Sequence, residues 1–168
     1  MRLILVFHPG TIRPGHATYR RSEFALDCGV ERIPVAQTAQ AKIDRSVGIR
    51  EPTWLAIADT LSITFSGSDA ELVSFDAYSN LANWVASSDL TLPEVAGVGT
   101  VRLAEPPPRS DRIDLGMVPT FRYSQRQQRL RIEFGAVPSH YYQVSTCLIV
   151  GADDDGLATL EVSDLKVT

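Results

Sequence analysis

Lysine is nearly absent from this sequence, and no basic residue of either kind lies between Arg50 and Arg102. The chain has sixteen basic residues, all of them arginines except Lys42 and Lys166, and its formal net charge is −4. Proteins that bind nucleic acid through its phosphate backbone usually carry a stripe of clustered basic residues. The lack of such a stripe predicts that the partner is not a nucleic acid.

Cysteine is almost as scarce, since the chain contains only Cys28 and Cys147. Two cysteines so far apart in sequence exclude a disulfide framework and a cysteine-based metal knuckle. Each lies in a run of alternating apolar residues, which predicts two buried and inert thiols. A bridge between them is geometrically possible, but nothing in the sequence indicates one.

Long apolar runs are missing as well. The first run, residues 3–7, ends at His8-Pro9-Gly10 and is shorter than the hydrophobic part of a secretory signal. No later segment approaches the roughly 18 apolar residues that span a bilayer. We therefore expect a soluble, cytoplasmic protein that does not act at a membrane. A chain of 168 residues, 44% of them hydrophobic, predicts a single globular domain over residues 1–168.

The motifs of the common enzyme classes are also absent. Ser66-Gly67-Ser68 lacks the first glycine of a nucleophile elbow, because Thr64 occupies that position. Gly97-Val98-Gly99 is a fragment of a dinucleotide fingerprint without its third glycine, and no phosphate-binding loop occurs. We therefore assign no catalytic residue and expect no cofactor. A non-enzymatic role is favoured, although an unusual enzyme stays open.

The sequence does contain a two-residue alternation of apolar and polar side chains along most of its length. Leu61, Ile63 and Phe65 alternate with polar residues, and so do Leu130, Ile132 and Phe134. Further strands are predicted over residues 3–7, 23–32, 39–47, 98–103 and 141–150. Clusters of glycine, proline, serine and aspartate separate these runs. The pattern predicts a mainly β fold, an antiparallel β-sandwich or barrel of many short strands.

Residues 68–87 support two interpretations. Ser68-Asp69-Ala70-Glu71 has the spacing of a capping box, and the apolar residues that follow recur at intervals of three and four, which favours a helix. However, Val73, Phe75 and Ala77 also alternate, so that the segment could return as a strand and form a hairpin with residues 61–65. The two interpretations are about equally supported. The fold therefore has at most one substantial helix, at about 68–87.

Charge is segregated along the chain, because residues 51–101 carry seven acidic residues and no basic one. Either these acids pair with arginines of neighbouring segments, or they form an acidic face for a basic partner. The second interpretation gives our main hypothesis, a non-enzymatic interaction module such as an inhibitor or immunity-type protein. It would hold a protein partner, or a second copy of itself, through an acidic and aromatic-studded surface. Its candidate binding residues are Asp69, Glu71, Asp76, Trp54, Trp84, Tyr141 and Tyr142.

Tyr141 and Tyr142 are chosen for a geometric reason. Adjacent residues of a strand point to opposite faces of a sheet, so that both tyrosines cannot fill one core. One of them should face solvent or be covered by a partner.

Two alternative functions stay open. The first is a β-sandwich that binds a carbohydrate or a metal, with hydrolase activity as one option. Asp153-Asp154-Asp155-Gly156 offers adjacent carboxylates but does not fit the EF-hand pattern, and the histidines match no metal motif. We therefore assign no metal site, and the weak candidates are Asp153, Asp155, His8, His16 and His140. The second alternative is a structural subunit of a larger assembly, in which strand edges pair between chains.

Overall fold

The computed structural model describes residues 2–32, 39, 43, 46–47, 53–106, 112–154 and 156–168. Within them it contains fifteen strands, one three-residue 3₁₀ helix, Leu81–Asn83, and the separate helical residues Ala39, Ile43 and Ser46. The strands are β1 (Leu5–Pro9), β2 (Gly15–Arg20), β3 (Ala25–Val30), β4 (Thr53–Ala58), β5 (Leu61–Ser66), β6 (Leu72–Tyr78), β7 (Val85–Ala86), β8 (Gly97–Leu103), β9 (Arg112–Asp114), β10 (Thr120–Ser124), β11 (Arg129–Glu133), β12 (His140–Gln143), β13 (Leu148–Asp153), β14 (Gly156–Val162) and β15 (Lys166–Val167). The fold is therefore mainly β, which confirms the prediction from alternation.

The strands form two sheets that pack together as a β-sandwich. The eight-stranded sheet has the order β1-β8-β12-β13-β14-β11-β10-β7, and the seven-stranded sheet has the order β15-β2-β3-β6-β5-β4-β9. Most neighbouring strands are antiparallel, as expected. Four pairs, β7 with β10, β8 with β12, β2 with β15 and β4 with β9, are parallel. Both sheets are therefore mixed. Because the strands form two separate sheets, the architecture is a sandwich and not a barrel.

The core lies between the sheets and is filled by the alternating apolar residues. Leu61, Ile63 and Phe65 of β5 are fully buried, and Leu130 and Ile132 of β11 are no more than 1% exposed. Since successive strand residues point to opposite faces, the residues between them lie on the outer faces of the sheets. The predicted registers of these two strands are confirmed.

The segment 68–87 is not a helix, and the hairpin interpretation is confirmed. β6 runs back along β5, with Ala77 opposite Leu61. The polar residues that resemble a capping box close the turn instead. The Ser68 N–H donates to Ser66 Oγ at 3.3 Å, and the Glu71 N–H donates to Asp69 Oδ1 at 3.2 Å. Serine and aspartate cap turns and helices by the same side-chain bonds, which is why the pattern misleads.

Two of the predicted strands are wrong in the structure. Residues 141–150 are not one strand, because the chain turns between β12 and β13, which pair antiparallel with Gln143 opposite Ile149. Of the strand predicted over 39–47, the structure describes Ala39, Ile43, Ser46 and Val47, and the first three are helical. Among the described residues, no helix has the length and apolar character that crossing a membrane requires.

Candidate functional site

Two of the predicted acidic binding residues, Asp69 and Glu71, are held by arginines where the two sheets meet. Glu71 is 4% exposed and accepts a hydrogen bond from Arg13 Nη1. Asp69 lies 3.4 Å from Arg32 Nη2. Arg102 Nη2 lies 3.9 Å from Asp69 and 4.0 Å from Glu71. These arginines come from outside the acidic block, so that Asp69 and Glu71 are used inside the fold.

This junction forms because β8 of one sheet reaches the turn that precedes β6 of the other. Glu71 and Arg102 form an isolated antiparallel bridge, and the Leu103 N–H donates to the Ala70 carbonyl at 3.0 Å. Arg13 enters from the segment before β2, where it forms a parallel bridge with Ser145. The charged network therefore connects the two sheets.

The third predicted acid, Asp76, lies on the outer face of the seven-stranded sheet. In β6 it stands directly opposite Asp27 of β3 on one side and Ser62 of β5 on the other. Burial, and after it the charge of Asp27, raise the pKa of Asp76. Asp27 Oδ2 lies 2.6 Å from Arg20 Nη1, whereas no described residue forms an ion pair with Asp76. Like charges directly opposite each other destabilise a sheet.

Asp76 shares this outer face with an exposed tyrosine. Tyr78 lies two residues further along β6, points to the same side and is 69% exposed. Its strand partner is Ala25, and the preceding residue, Phe24, is 49% exposed. The Phe24 carbonyl accepts the Ser79 N–H at 2.8 Å. We call the surface formed by Asp27, Asp76 and Tyr78, together with Phe24 of the adjoining turn, the aspartate–tyrosine face.

Sequence reasoning selects Asp76 but misses the other three residues of this face. Tyr78 lies two residues after Asp76 and therefore on the same face of the strand, and this spacing can be read from the sequence. Asp27 and Phe24 are about 50 residues away along the chain. The register of β3 against β6 brings Asp27 opposite Asp76 and places the turn that contains Phe24 beside Ser79.

The two tryptophans lie elsewhere. Trp84 is 8% exposed and packs against Tyr19, Phe121 and Tyr123, with ring centroids 4.9, 5.4 and 5.8 Å away. Trp54 is partly buried and packs against the same core. Trp84 is therefore a core residue, and the aromatic-studded surface does not include it.

A cavity of about 580 Å³ opens beside this aromatic cluster. Its lining includes Trp84, Tyr123, Ser124, Arg126 and Asp89. Ser124 Oγ is buried and has no hydrogen-bond partner among the described residues. Trp84 and Tyr123 are each only 8% exposed. A sugar stacks on an exposed ring face, and these two rings expose too little surface for that.

Tyr141 and Tyr142 point to opposite faces of the eight-stranded sheet, as their adjacency predicts. Tyr142 stacks on Phe7 with ring centroids 4.2 Å apart. Tyr141 lies on the outer side, where burial, and after it the charge of Glu161, raise its pKa. Both tyrosines are partly buried by this chain itself, so that neither needs a partner to cover it.

A second cavity, of about 250 Å³, brings together three of the predicted residues, His140, Tyr142 and Asp153. The His140 ring lies nearly parallel to that of Tyr142, with centroids 6.5 Å apart. Both carboxylate oxygens of Asp153 lie 2.9 Å from Arg2 Nη2. The aspartate is therefore already paired with a cation inside the chain.

The other metal candidates do not join this cavity. His8 lies on the opposite face of β1 from Phe7, and His16 lies across Gly29 on the seven-stranded sheet. Asp155 lies outside the described residues. In the part of the chain that the structure describes, no three histidine, cysteine, aspartate or glutamate side chains form a group that could hold a metal ion.

No family model matches this chain, and a search of curated proteins finds no similar sequence. The function must therefore be inferred from the sites that the chain itself builds.

Proposed function

We propose that this protein is a non-enzymatic binding module whose aspartate–tyrosine face holds a protein partner. The partner would present a lysine or arginine beside apolar side chains. The observation that carries this proposal is Asp76, a partly buried carboxylate that faces a second carboxylate and has no cation among the described residues.

Asp76 differs from the other shielded acids that the structure describes. Glu71 is bonded to Arg13, Glu161 to Arg131, and Glu133 to Arg122. An acid that is shielded from water without a cation destabilises the fold. A cation supplied by a partner would provide the missing ion pair and offset the repulsion from Asp27.

The exposed rings supply the second half of the argument. Tyrosine is enriched at the energetic centres of protein interfaces, where its ring buries a large area. Tyr78 is 69% exposed beside Asp76, and Phe24, in the turn before β3, is 49% exposed. The carboxylates would orient the partner and speed its association, while the rings would supply affinity.

The other functions expected from the sequence have less support. The cavity beside Trp84 offers little ring surface for a sugar, and the described acids and histidines form no metal cluster. Self-association is the competing outcome for the aspartate–tyrosine face, and the experiment below separates it from a distinct partner.

Asp76→Asn is expected to stabilise the protein at pH 7 by about 0.2–1 kcal/mol, because it removes a like-charge cross-strand pair. The pKa of Asp76 is raised in the folded state, so that the folded state holds its proton more tightly than the unfolded state. The carboxylate therefore destabilises the fold at neutral pH, and this effect disappears as the pH falls through the raised pKa. Urea unfolding at pH 7 and at about pH 3, below the unfolded pKa of roughly 3.9, checks both parts.

Glu94→Gln is the matched control for this change. Glu94 is exposed and lies outside β6 and the strands that pair with it. It should leave the free energy of unfolding unchanged at both pH values. A loss of stability in Asp76→Asn would mean that the carboxylate has a favourable internal interaction, and the proposal would lose its main support.

Photo-crosslinking tests the proposal itself. With benzoylphenylalanine in place of Tyr78, irradiation in an extract of the source cells should link a second protein through a peptide that contains lysine or arginine. Adding Asp76→Lys should reduce the yield at least about tenfold, which corresponds to 1.4 kcal/mol of binding free energy. Adding Glu94→Lys instead should leave the yield unchanged.

The control position for the crosslinker is Val118, which is 74% exposed and lies outside the aspartate–tyrosine face. Equal yields from positions 78 and 118 would refute the proposal. Crosslinked dimers of this chain as the sole product would also refute it, in favour of self-association.

A further inference from the structure

Cys28 and Cys147 both lie beside β2 in the core between the two sheets, although roughly 120 residues separate them along the chain. Cys28 lies in β3 of the seven-stranded sheet, and Cys147 lies in the turn between β12 and β13 of the eight-stranded sheet. Both are free thiols, 1% and 5% exposed. Cys28 stands opposite Ala17 of β2, and Cys147 Sγ lies beside Gly15, two residues before Ala17 on the same inner face. The sequence predicts the burial of the two thiols but not this proximity.

The turn that carries Cys147 reaches the inner face of β2 because a glycine stands there. A Cβ atom on Gly15 would lie 2.4 Å from Ser145 Oγ and 3.0 Å from Cys147 Sγ. Two hydrogen bonds fix the turn on this strand. The Thr146 N–H donates to the Arg13 carbonyl at 2.9 Å, and the Gly15 N–H donates to Thr146 Oγ1 at 3.0 Å. The position of Cys147 is therefore built by the backbone.

The two thiols are not equivalent. A hydrogen bond from Cys28, and after it one with Ser145, lower the pKa of Cys147 to about 7, against burial, which raises it. Ser145 Oγ lies 3.6 Å from Cys147 Sγ and accepts the Cys147 N–H at 3.3 Å. The same contact with Cys147, and then burial, raise the pKa of Cys28. At neutral pH Cys147 carries the thiolate character, and Cys28 keeps its proton.

We propose that Cys28 and Cys147 form a peroxide-reactive dithiol site that closes to a disulfide joining the two sheets. The Cys147 thiolate attacks hydrogen peroxide, so that an S–O bond forms, the O–O bond breaks, and the departing hydroxide takes a proton to become water. The Cys28 sulfur then attacks the sulfenic acid at Cys147. The S–S bond forms, the S–O bond breaks, and the hydroxide that leaves takes the Cys28 proton. Two thiols are oxidised, and one peroxide is reduced to two waters.

Cys28 and the Cys147 sulfur lie on the same inner face beside β2, which favours closure, and the two sulfurs must reach the disulfide length of about 2.05 Å. The bond would close a loop of roughly 120 residues. Cross-linking so long a loop removes much of the conformational freedom of the unfolded chain, and for a chain of this size the unfolding temperature should rise by roughly 10 °C.

The wild-type protein provides the first test. The folded, reduced protein is treated with hydrogen peroxide, the peroxide is removed with catalase, and the free thiols are alkylated after denaturation. Peptide mapping without reductant should show an intramolecular Cys28–Cys147 link, together with the rise in unfolding temperature, and dithiothreitol should reverse both. The proposal would be overturned if Cys28 and Cys147 both stayed reduced while a model thiol in the same solution was oxidised. Links between different chains would also overturn it.

Two variants test the assignment of roles. In Cys28→Ala the sulfenic acid at Cys147 has no resolving thiol, so that dimedone should label Cys147. In Cys147→Ala dimedone should label nothing, because Cys28 is buried and keeps its proton. Labelling of Cys28 in Cys147→Ala, at a rate equal to that of Cys147 in Cys28→Ala, would refute the roles. The mapping of the wild-type protein decides the proposal even where a variant fails to fold.

Discussion

Replacing Glu71 with glutamine is expected to lower the free energy of unfolding by about 3–5 kcal/mol, the effect of removing one partner from a buried ion pair. Glu71 is 4% exposed, and its carboxylate is bonded to Arg13, whose side chain is 15% exposed. Glutamine keeps the shape but not the charge, so that Arg13 would stay shielded from water without a counter-ion. Urea unfolding at pH 7 measures the loss.

Two controls separate this effect from a general sensitivity of the turn. Asp69→Asn keeps an oxygen for the Glu71 N–H, and the arginine contacts of Asp69 are longer and more exposed. It should therefore cost about 1 kcal/mol or less. The double change Glu71→Leu with Arg13→Met removes both charges and should recover much of the loss, because the desolvation penalty disappears with them. Equal costs for Glu71→Gln and Asp69→Asn would contradict the assignment of Glu71 as the buried member of the network.

The same network explains much of the charge segregation in the sequence. The acidic block supplies Asp69 and Glu71, while Arg13, Arg32 and Arg102 come from the arginine-bearing segments on either side. The contacts show that Asp69 and Glu71 pair with arginines inside the fold. Asp76 belongs to the same block but faces Asp27 instead, which is why the proposed binding surface is placed there.

The sandwich could be predicted because one local rule governs it. Leu61, Ile63 and Phe65 are all buried, since alternate residues of a strand share a face wherever the strand pairs. A local sequence pattern does not decide the structure where it fits both a helix and a hairpin. Ser68 and Asp69 fit the start of a helix and also a hairpin turn, and the pairing of β6 with β5 decides between them.

The sequence selects Asp76, but it does not predict how the candidate sites are assembled, because each site depends on contacts between distant segments. Asp27 and Asp76 become neighbours through the pairing of β3 with β6. Cys28 and Cys147 come close together through the pairing of β3 with β2 and the docking of a turn beside Gly15. A shift of one residue in either register would move the side chains to the other face of the sheet. No periodicity within one segment carries that information.

Arg131 shows how a buried partner changes an energetic expectation. Alternation places Arg131 on the outer face of β11, facing solvent or acidic neighbours, and its removal should cost less than about 1 kcal/mol if the side chain is exposed. In the structure its Nε lies 2.7 Å from Glu161, which is 3% exposed, and its Nη2 donates to the Thr91 carbonyl at 3.3 Å. Residues 89–91 lie over this pair, since Leu90 also bonds to Gln127 and Arg129. The arginine therefore neutralises a buried carboxylate.

Arg131→Ala is expected to lower the free energy of unfolding at pH 7 by about 3 kcal/mol, because Glu161 would stay buried without a cation. Burial already raises the pKa of Glu161, against the opposing effect of Arg131, and the variant removes that opposition. The folded state then binds the proton more tightly than the unfolded state, so that stability falls as the pH rises above the unfolded pKa of about 4.3. The loss should therefore be small near pH 4 and complete above the raised pKa.

The matched control for this prediction is Arg122→Ala. Arg122 is the cross-strand neighbour of Arg131 and is bonded to Glu133, but the side chains of that pair are 40% and 29% exposed. Water can solvate Glu133 when its partner is removed, so that this change should cost less than about 1 kcal/mol at either pH. Urea unfolding of both variants at pH 4 and pH 7 provides the comparison. If Arg131→Ala lost the same stability at both pH values, the arginine would act through packing and its bond to Thr91, and the charge of Glu161 would not be the cause.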